Sequence, residues 1–227
     1  NRGTLTLTNG TVSGNTAYSS GGGIYNDSGT LTLANVEVSG NQATNSSGGG
    51  IYNAYRSTLT LTNGTVSGNT AEEGGGIYSR YATLAMDNSI VALNSADSDW
   101  DDVYGSFSGS RILFGVDPSF VDPAGGDYRL SATSIAINRG DNELAVDGEG
   151  VPLAADLAGN ERVSDGAVDL GAYEYQGAPD SEREAASTTV TTVLDTTDAT
   201  DDETSVREAL FHAMVGDMGS TVTFGSG

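Results

Sequence analysis

The phrase TLTLTNGTVSGNTA, completed a few residues later by GGGIYN, occupies residues 4–26 and returns, with substitutions, at 30–53 and 58–79. A worn fourth copy runs over 83–104. The first leucines of the copies, Leu5, Leu31, Leu59 and Leu84, stand 26, 28 and 25 residues apart. A period in this range marks a solenoid, in which each copy is one supersecondary unit stacked on the next.

Within TLTLT the apolar and polar residues alternate, putting Leu5 and Leu7 on one face and Thr4, Thr6 and Thr8 on the other. That is a half-buried strand, with threonine suited to its exposed side. Leu31, Leu33, Leu59 and Leu61 repeat the pattern. TVSGN reads as a second short strand carrying Val12, Val38 or Val66, and GGGIYN as a third carrying Ile24, Ile51 or Ile77. These leucines, valines and isoleucines form the expected core. No copy has room for a crossover helix, so the chain must wind as a coil. The fold class expected is all-β: a parallel β-helix, right-handed as parallel crossovers generally are.

Length changes fall between Asn15 and Gly21, Asn41 and Gly48, and Asn69 and Gly74, leaving the strand phrases intact. Two asparagine columns follow from the alignment: Asn9, Asn35, Asn63 and Asn88, and Asn15, Asn41, Asn69 and Asn94. Asparagine tolerates the left-handed backbone of a turn, and stacked at a rung spacing of about 4.8 Å its amide can bond the amides above and below. An asparagine ladder is the expectation for both columns. The glycine triplets are read as tight-turn elements, since GGGIY lacks the lysine and following helix of a phosphate loop.

The chain has 31 acidic against 9 basic residues, for a net charge of −22, and no cysteine. Disulfide frameworks and thiolate metal sites are thereby excluded. Nucleic acid and anionic membrane surfaces are poor partners for such a charge, and no long apolar run suggests membrane insertion. The acidity, with abundant Thr, Ser, Asn and Gly, suits an extracellular surface protein. Residues 1–95 are nearly neutral, so the charge belongs to the rest. The opening at Asn1 falls inside a coil, as expected of a mature fragment or processed subunit.

The fourth copy changes character at SADSDWDDVYG, where Asp97, Asp99, Asp101 and Asp102 surround the single tryptophan, Trp100. Closely spaced carboxylates suit calcium; a solvated acidic turn has the same composition. Then DPSFVDPAGGDYRL, SIAINRGDN, DLAGNERV and VDLGAYEYQ follow in order between residues 117 and 176. These phrases resemble the closing section of bacterial β-helix surface proteins of the choice-of-anchor kind. GGGIYN and TVSGN resemble the repeats of polymorphic outer-membrane proteins. The resemblance implies a right-handed, pectate-lyase-like β-helix displayed at the cell surface. Related proteins usually carry an acidic-small pair where Asn138 and Arg139 stand. Asp141, Asp147 and Asp156 are further calcium candidates, although DGEG lacks the spacing of a twelve-residue calcium loop.

The division expected is regular coils over 1–105, irregular closing coils with acidic loops over 106–176, a linker over 177–187, and a strand–helix–strand cap over 188–227. The short capping helix would present Val206, Ala209, Leu210 and Ala213 at helical spacing. This last segment resembles the opening cap of the same β-helix family. Solenoid ends need covering, so the expected role of these four residues is to cover the first coil of the next unit. The partner would be a second copy, in a filament, or the following unit of a tandem array.

Catalysis is not expected. The chain lacks lysine, and the outward positions of the coils, Thr, Ser and Glu37, supply no carboxylate pair facing a groove. The competing expectation is an adhesin that holds a surface glycan or host partner through its loops. A polysaccharide lyase or hydrolase, or an ice-binding threonine array, is the remoter reading. Sequons at Asn26 and Asn45 fall in turns and should be open to glycosylation; those at Asn9 and Asn63 fall in the ladder and should be closed.

Overall fold

A computed structural model of the chain describes residues 1–98 and 100–177, together with the backbone of 189–190 and 223–224. Each coil begins with a ten-residue strand: β1 (Thr4–Ser13), β4 (Thr30–Ser39), β7 (Thr58–Ser67) and β10 (Thr83–Ala92). Two shorter strands complete it. They are β2 (Thr16–Ala17) and β3 (Ile24–Asn26), β5 (Gln42–Ala43) and β6 (Ile51–Asn53), β8 (Thr70–Ala71) and β9 (Ile77–Ser79), and β11 (Ser95–Ala96) and β12 (Val103–Tyr104). With β13 (Ser108–Phe114) they form three parallel sheets, ordered β1-β4-β7-β10-β13, β11-β8-β5-β2 and β12-β9-β6-β3. The protein is an all-β parallel solenoid, as its period requires.

Like residues lie on like residues. Leu5 pairs with Leu31, Leu31 with Leu59 and Leu59 with Leu84, while Val12, Val38, Val66, Val91 and Phe114 follow one another along the same sheet. TLTLT and TVS are not separate strands, however. They are two arms of one strand, bent at Asn9, Asn35, Asn63 and Asn88, whose φ angles are 55°, 54°, 50° and 47°. A left-handed residue turns the pleat without ending the ladder, and pairing resumes at once with Gly10 against Val36. The second sheet is instead built from the polar-alanine pairs that follow, Thr16-Ala17, Gln42-Ala43, Thr70-Ala71 and Ser95-Ala96.

Leu31, Leu33, Val38, Ile51, Leu59, Leu61, Val66 and Ile77 are wholly buried in one cluster. Burial of such side chains contributes about 1.5–3 kcal/mol each. The first coil departs from the expected core. Leu5 is 45% exposed, and Leu7, Val12 and Ile24 are only partly buried against the cluster. Among the described residues their strands have a neighbour on one side alone.

The closing section adds only one further strand, β13, to the stack. Beyond it, β14 (Phe120–Asp122) and β15 (Asp127–Leu130) form an antiparallel pair, and the chain runs back beside the coils. Asp141 bonds Asn88 of the fourth coil, Leu144 bonds Asn63 of the third and Ala155 bonds Asn35 of the second. A second apolar cluster, including Ile90, Leu113, Phe120, Tyr128, Leu130 and Leu170, joins the two parts. The irregular closing coils expected over 106–176 are therefore a lateral pad, because the bend asparagines offer it side-chain amides as docking points. Farther on, β16 (Thr189–Val190) pairs in parallel with β17 (Thr223–Phe224). Val206, Ala209, Leu210 and Ala213, and nearly all of the linker, lie outside the described residues.

Candidate functional site

The side chains that repeat are those that stack. In the second asparagine column Asn15 Nδ2 donates to Asn41 Oδ1, Asn41 to Asn69 and Asn69 to Asn94, each at 2.9 Å. Each oxygen also accepts the backbone N–H of the preceding asparagine, at 3.0, 2.9 and 3.0 Å. The column ends at Asp102, whose Oδ1 accepts both the backbone and side-chain N–H of Asn94. A carboxylate offers no donor to a further rung. Burial raises the pKa of Asp102.

Beside this column the glycine triplets close the coil. A Cβ at Gly49 would land on Thr70 O and Gly75 O of the next coil, so backbone packs on backbone and no side chain fits. Two coils match the Chlamydia polymorphic membrane protein repeat. The matched residues, 9–27 and 63–80, each run from a bend asparagine through the ladder and the glycine triplet to the end of the isoleucine-tyrosine strand. No curated protein and no solved structure shows significant similarity to the chain. The repeat match and the parallel coils together fit a β-helix surface protein.

The first asparagine column is less regular than expected. Asn35 Nδ2 donates to Asn9 Oδ1 at 2.7 Å and Asn88 Nδ2 to Asn63 Oδ1 at 3.1 Å. Between Asn35 and Asn63 the ladder is broken: Asn63 Nδ2 turns to Leu144 O, and Asn35 Oδ1 is buried with no partner. The pad competes for the amides, and Asn63 Oδ1 also accepts from Arg162.

Sequence reasoning missed a third ladder. Asn26 Nδ2 donates to Asn53 Oδ1 at 2.9 Å, and Asn53 Nδ2 to Ser79 Oγ at 3.2 Å. Its signal was visible in the residue closing each IYN or IYS phrase. Asn26 is wholly buried, so its sequon is closed rather than open. Asn9, expected to be closed, is exposed on the outermost rung, while Asn45 is exposed and Asn63 buried. The adjacent tyrosines also stack: Tyr25 on Tyr52, Tyr52 on Tyr78 and Tyr78 on Tyr104, with ring centroids 5.0, 5.0 and 4.4 Å apart. Trp100 meets the last ring edge-on.

The pad holds the largest group of buried charges. Arg162 is wholly buried; its Nη1 lies 3.0 Å from Glu174 Oε1, and Nη2 donates to Gly171 O at 2.8 Å. Asp169 accepts the N–H of Asn138 and of Tyr175, and Asp156 accepts the N–H of Asn160 and of Glu174. Burial, and then the neighbouring Asp169, push the Glu174 carboxyl up to about 8, with Arg162 opposing. Glu37, expected to face outward, is buried: Ser39 Oγ and Tyr173 Oη both donate to its carboxylate. The pad covers it. Burial, with Glu37 beside it, raises the pKa of Tyr173.

The calcium candidates are spread out and occupied with local bonds. Asp97 and Asp101 are exposed, and Asp101 Oδ1 accepts Ala96 N–H. Asp141 accepts Glu143 N–H, and Asp147 accepts those of Glu149 and Val151. Asp99 lies outside the described residues. Among the described residues, no three acidic or histidine side chains gather as a metal site. The threonine face is partly occupied, because Gly148 of the pad lies against the methyls of Thr6 and Thr32.

Proposed function

We propose that this chain is a non-catalytic structural protein of the cell surface, built to continue a stack of coils. The observation that carries this reading is the register, in which like residue meets like residue from coil to coil, Leu5 on Leu31, Leu31 on Leu59 and Leu59 on Leu84. The second asparagine column donates in one direction from coil to coil. At the β13 end of the stack, Ile112 and Phe114 are only partly buried. Contacts between unlike ends are heterologous and propagate rather than close. A further coil carrying the same phrase, whether of this protein, a tandem unit or a second copy, would meet the same register.

The surface location rests on the repeat shared with polymorphic membrane proteins and on the acidic composition. The absence of catalysis is supported by the pad, where Arg162, Glu174, Asp169 and Asp156 are all buried and mutually engaged. Electron microscopy and light scattering of the purified chain over a range of concentrations test the stacking. Rods that lengthen with concentration, and shorten in Leu5→Asp, are expected. A monomer at every concentration would remove the self-stacking form, and turnover of an acidic polysaccharide would remove the non-catalytic one.

A further inference from the structure

We propose that the corner around Arg56 and Tyr81 is a binding site for an acidic saccharide, with a sugar ring lying on an exposed tyrosine and its carboxylate held by guanidinium. This is independent of coil stacking, since the corner lies on the side of coils two to four.

At this corner each coil passes from its third strand to the first strand of the next through a left-handed residue: Ser28 (φ 58°), Arg56 (φ 64°) and Tyr81 (φ 53°). Bulky side chains are uncommon in that conformation, which favours Gly, Asn or Asp. The two later corners nonetheless carry Tyr55-Arg56 and Arg80-Tyr81 where the first has Asp27-Ser28. Tyr55 is 55% and Tyr81 72% exposed. The Arg56 guanidinium lies 4.8 Å from the Tyr55 ring centroid and that of Arg80 lies 5.1 Å from Tyr81. The cations are thereby held beside flat aromatic faces.

Arginines elsewhere in the chain are drawn into ion pairs. Arg2 pairs with Asp27, Arg129 with Asp127 and Arg162 with Glu174. In a chain of 31 acids, Arg56 and Arg80 have no carboxylate partner among the described residues. Between Arg56 and Tyr81 runs an open groove of about 440 Å³, lined also by Ser57, Thr58, Thr83 and Ser106. Hydroxyls and guanidinium suit a ligand that is polar along its length and carries an anion. The tyrosines suit the apolar face of a sugar ring. An acidic peptide would satisfy the guanidiniums and leave the hydroxyl-lined floor unused.

Calorimetric titration of the intact chain at physiological ionic strength tests this. At that ionic strength the screening length is about 8 Å and the distant acids are muted. The probes are trigalacturonate, its methyl ester, and a tetraglutamate peptide. Trigalacturonate is expected to bind saturably, and the ester and the peptide about tenfold more weakly or worse. Arg56→Gln and Tyr81→Ala, both at exposed positions, should each weaken trigalacturonate about tenfold with the thermal midpoint unchanged. No saturable binding, or binding unaffected by both substitutions, overturns the proposal. Equal binding of the ester shows that the guanidiniums are idle, and equal binding of the peptide shows a site for charge alone; either result also overturns it.

Discussion

Asn94 donates twice to one oxygen of Asp102, through its backbone N–H at 3.1 Å and its side-chain amide at 2.8 Å. The change from asparagine to aspartate thus turns relay into terminus within the same column. Asp102→Asn keeps the accepting oxygen and should change stability by less than about 1 kcal/mol. Asp102→Ala strands two buried donors and should cost about 2–3 kcal/mol. Urea unfolding of the two variants reads the difference directly.

Position along the ladder should set the cost of losing a rung. Asn69 is wholly buried, with its amide donating to Asn94, Val38 and Ser67, whereas Asn15 is exposed. Asn69→Ala is expected to cost about 3 kcal/mol and Asn15→Ala less than about 1 kcal/mol. Equal losses in denaturant midpoint would show that rungs do not depend on their neighbours.

Stability should fall from acid towards mildly alkaline pH. The Glu174 carboxyl has its pKa raised to about 8 from 4.5 by burial and by Asp169, and burial raises Asp102 in the same direction. Below the ordinary carboxylate range both states hold these protons. Above it the unfolded chain has released them while the native chain still retains them, so the stabilisation is lost as pH rises through the folded pKa. The Glu174 contribution is on the order of a few kcal/mol at most. Thermal midpoints between pH 5 and 8 should decline, and Glu174→Gln should flatten the decline. A slope that Glu174→Gln leaves intact would assign it elsewhere.

Expression through a glycosylating secretory host should modify Asn45, which is exposed between β5 and β6, and leave Asn26 and Asn63 bare. Peptide mass mapping checks this. Occupancy at Asn26 would mean that the third ladder does not form before the sequon is read.

Removing the Tyr173 hydroxyl takes one of two donors from the buried Glu37 carboxylate. Tyr173→Phe should cost about 1–3 kcal/mol, as expected for a hydrogen bond to a charged group. Because the bond joins pad to coil, hydrogen exchange should rise in the pad more than in the central coils.

The coil, its register and the second asparagine ladder were legible in the sequence because a solenoid makes neighbours of residues one period apart. Leu31 meets Leu59 whatever the rest of the chain does. The path of residues 117–176 was not legible. Its phrases carry no period, and docking on Asn35, Asn63 and Asn88 is decided by which free amides a bent strand leaves facing outward. Tertiary structure alone therefore broke the first ladder between Asn35 and Asn63, buried Glu37 beneath Tyr173, and gathered Arg162, Asp156, Asp169 and Glu174.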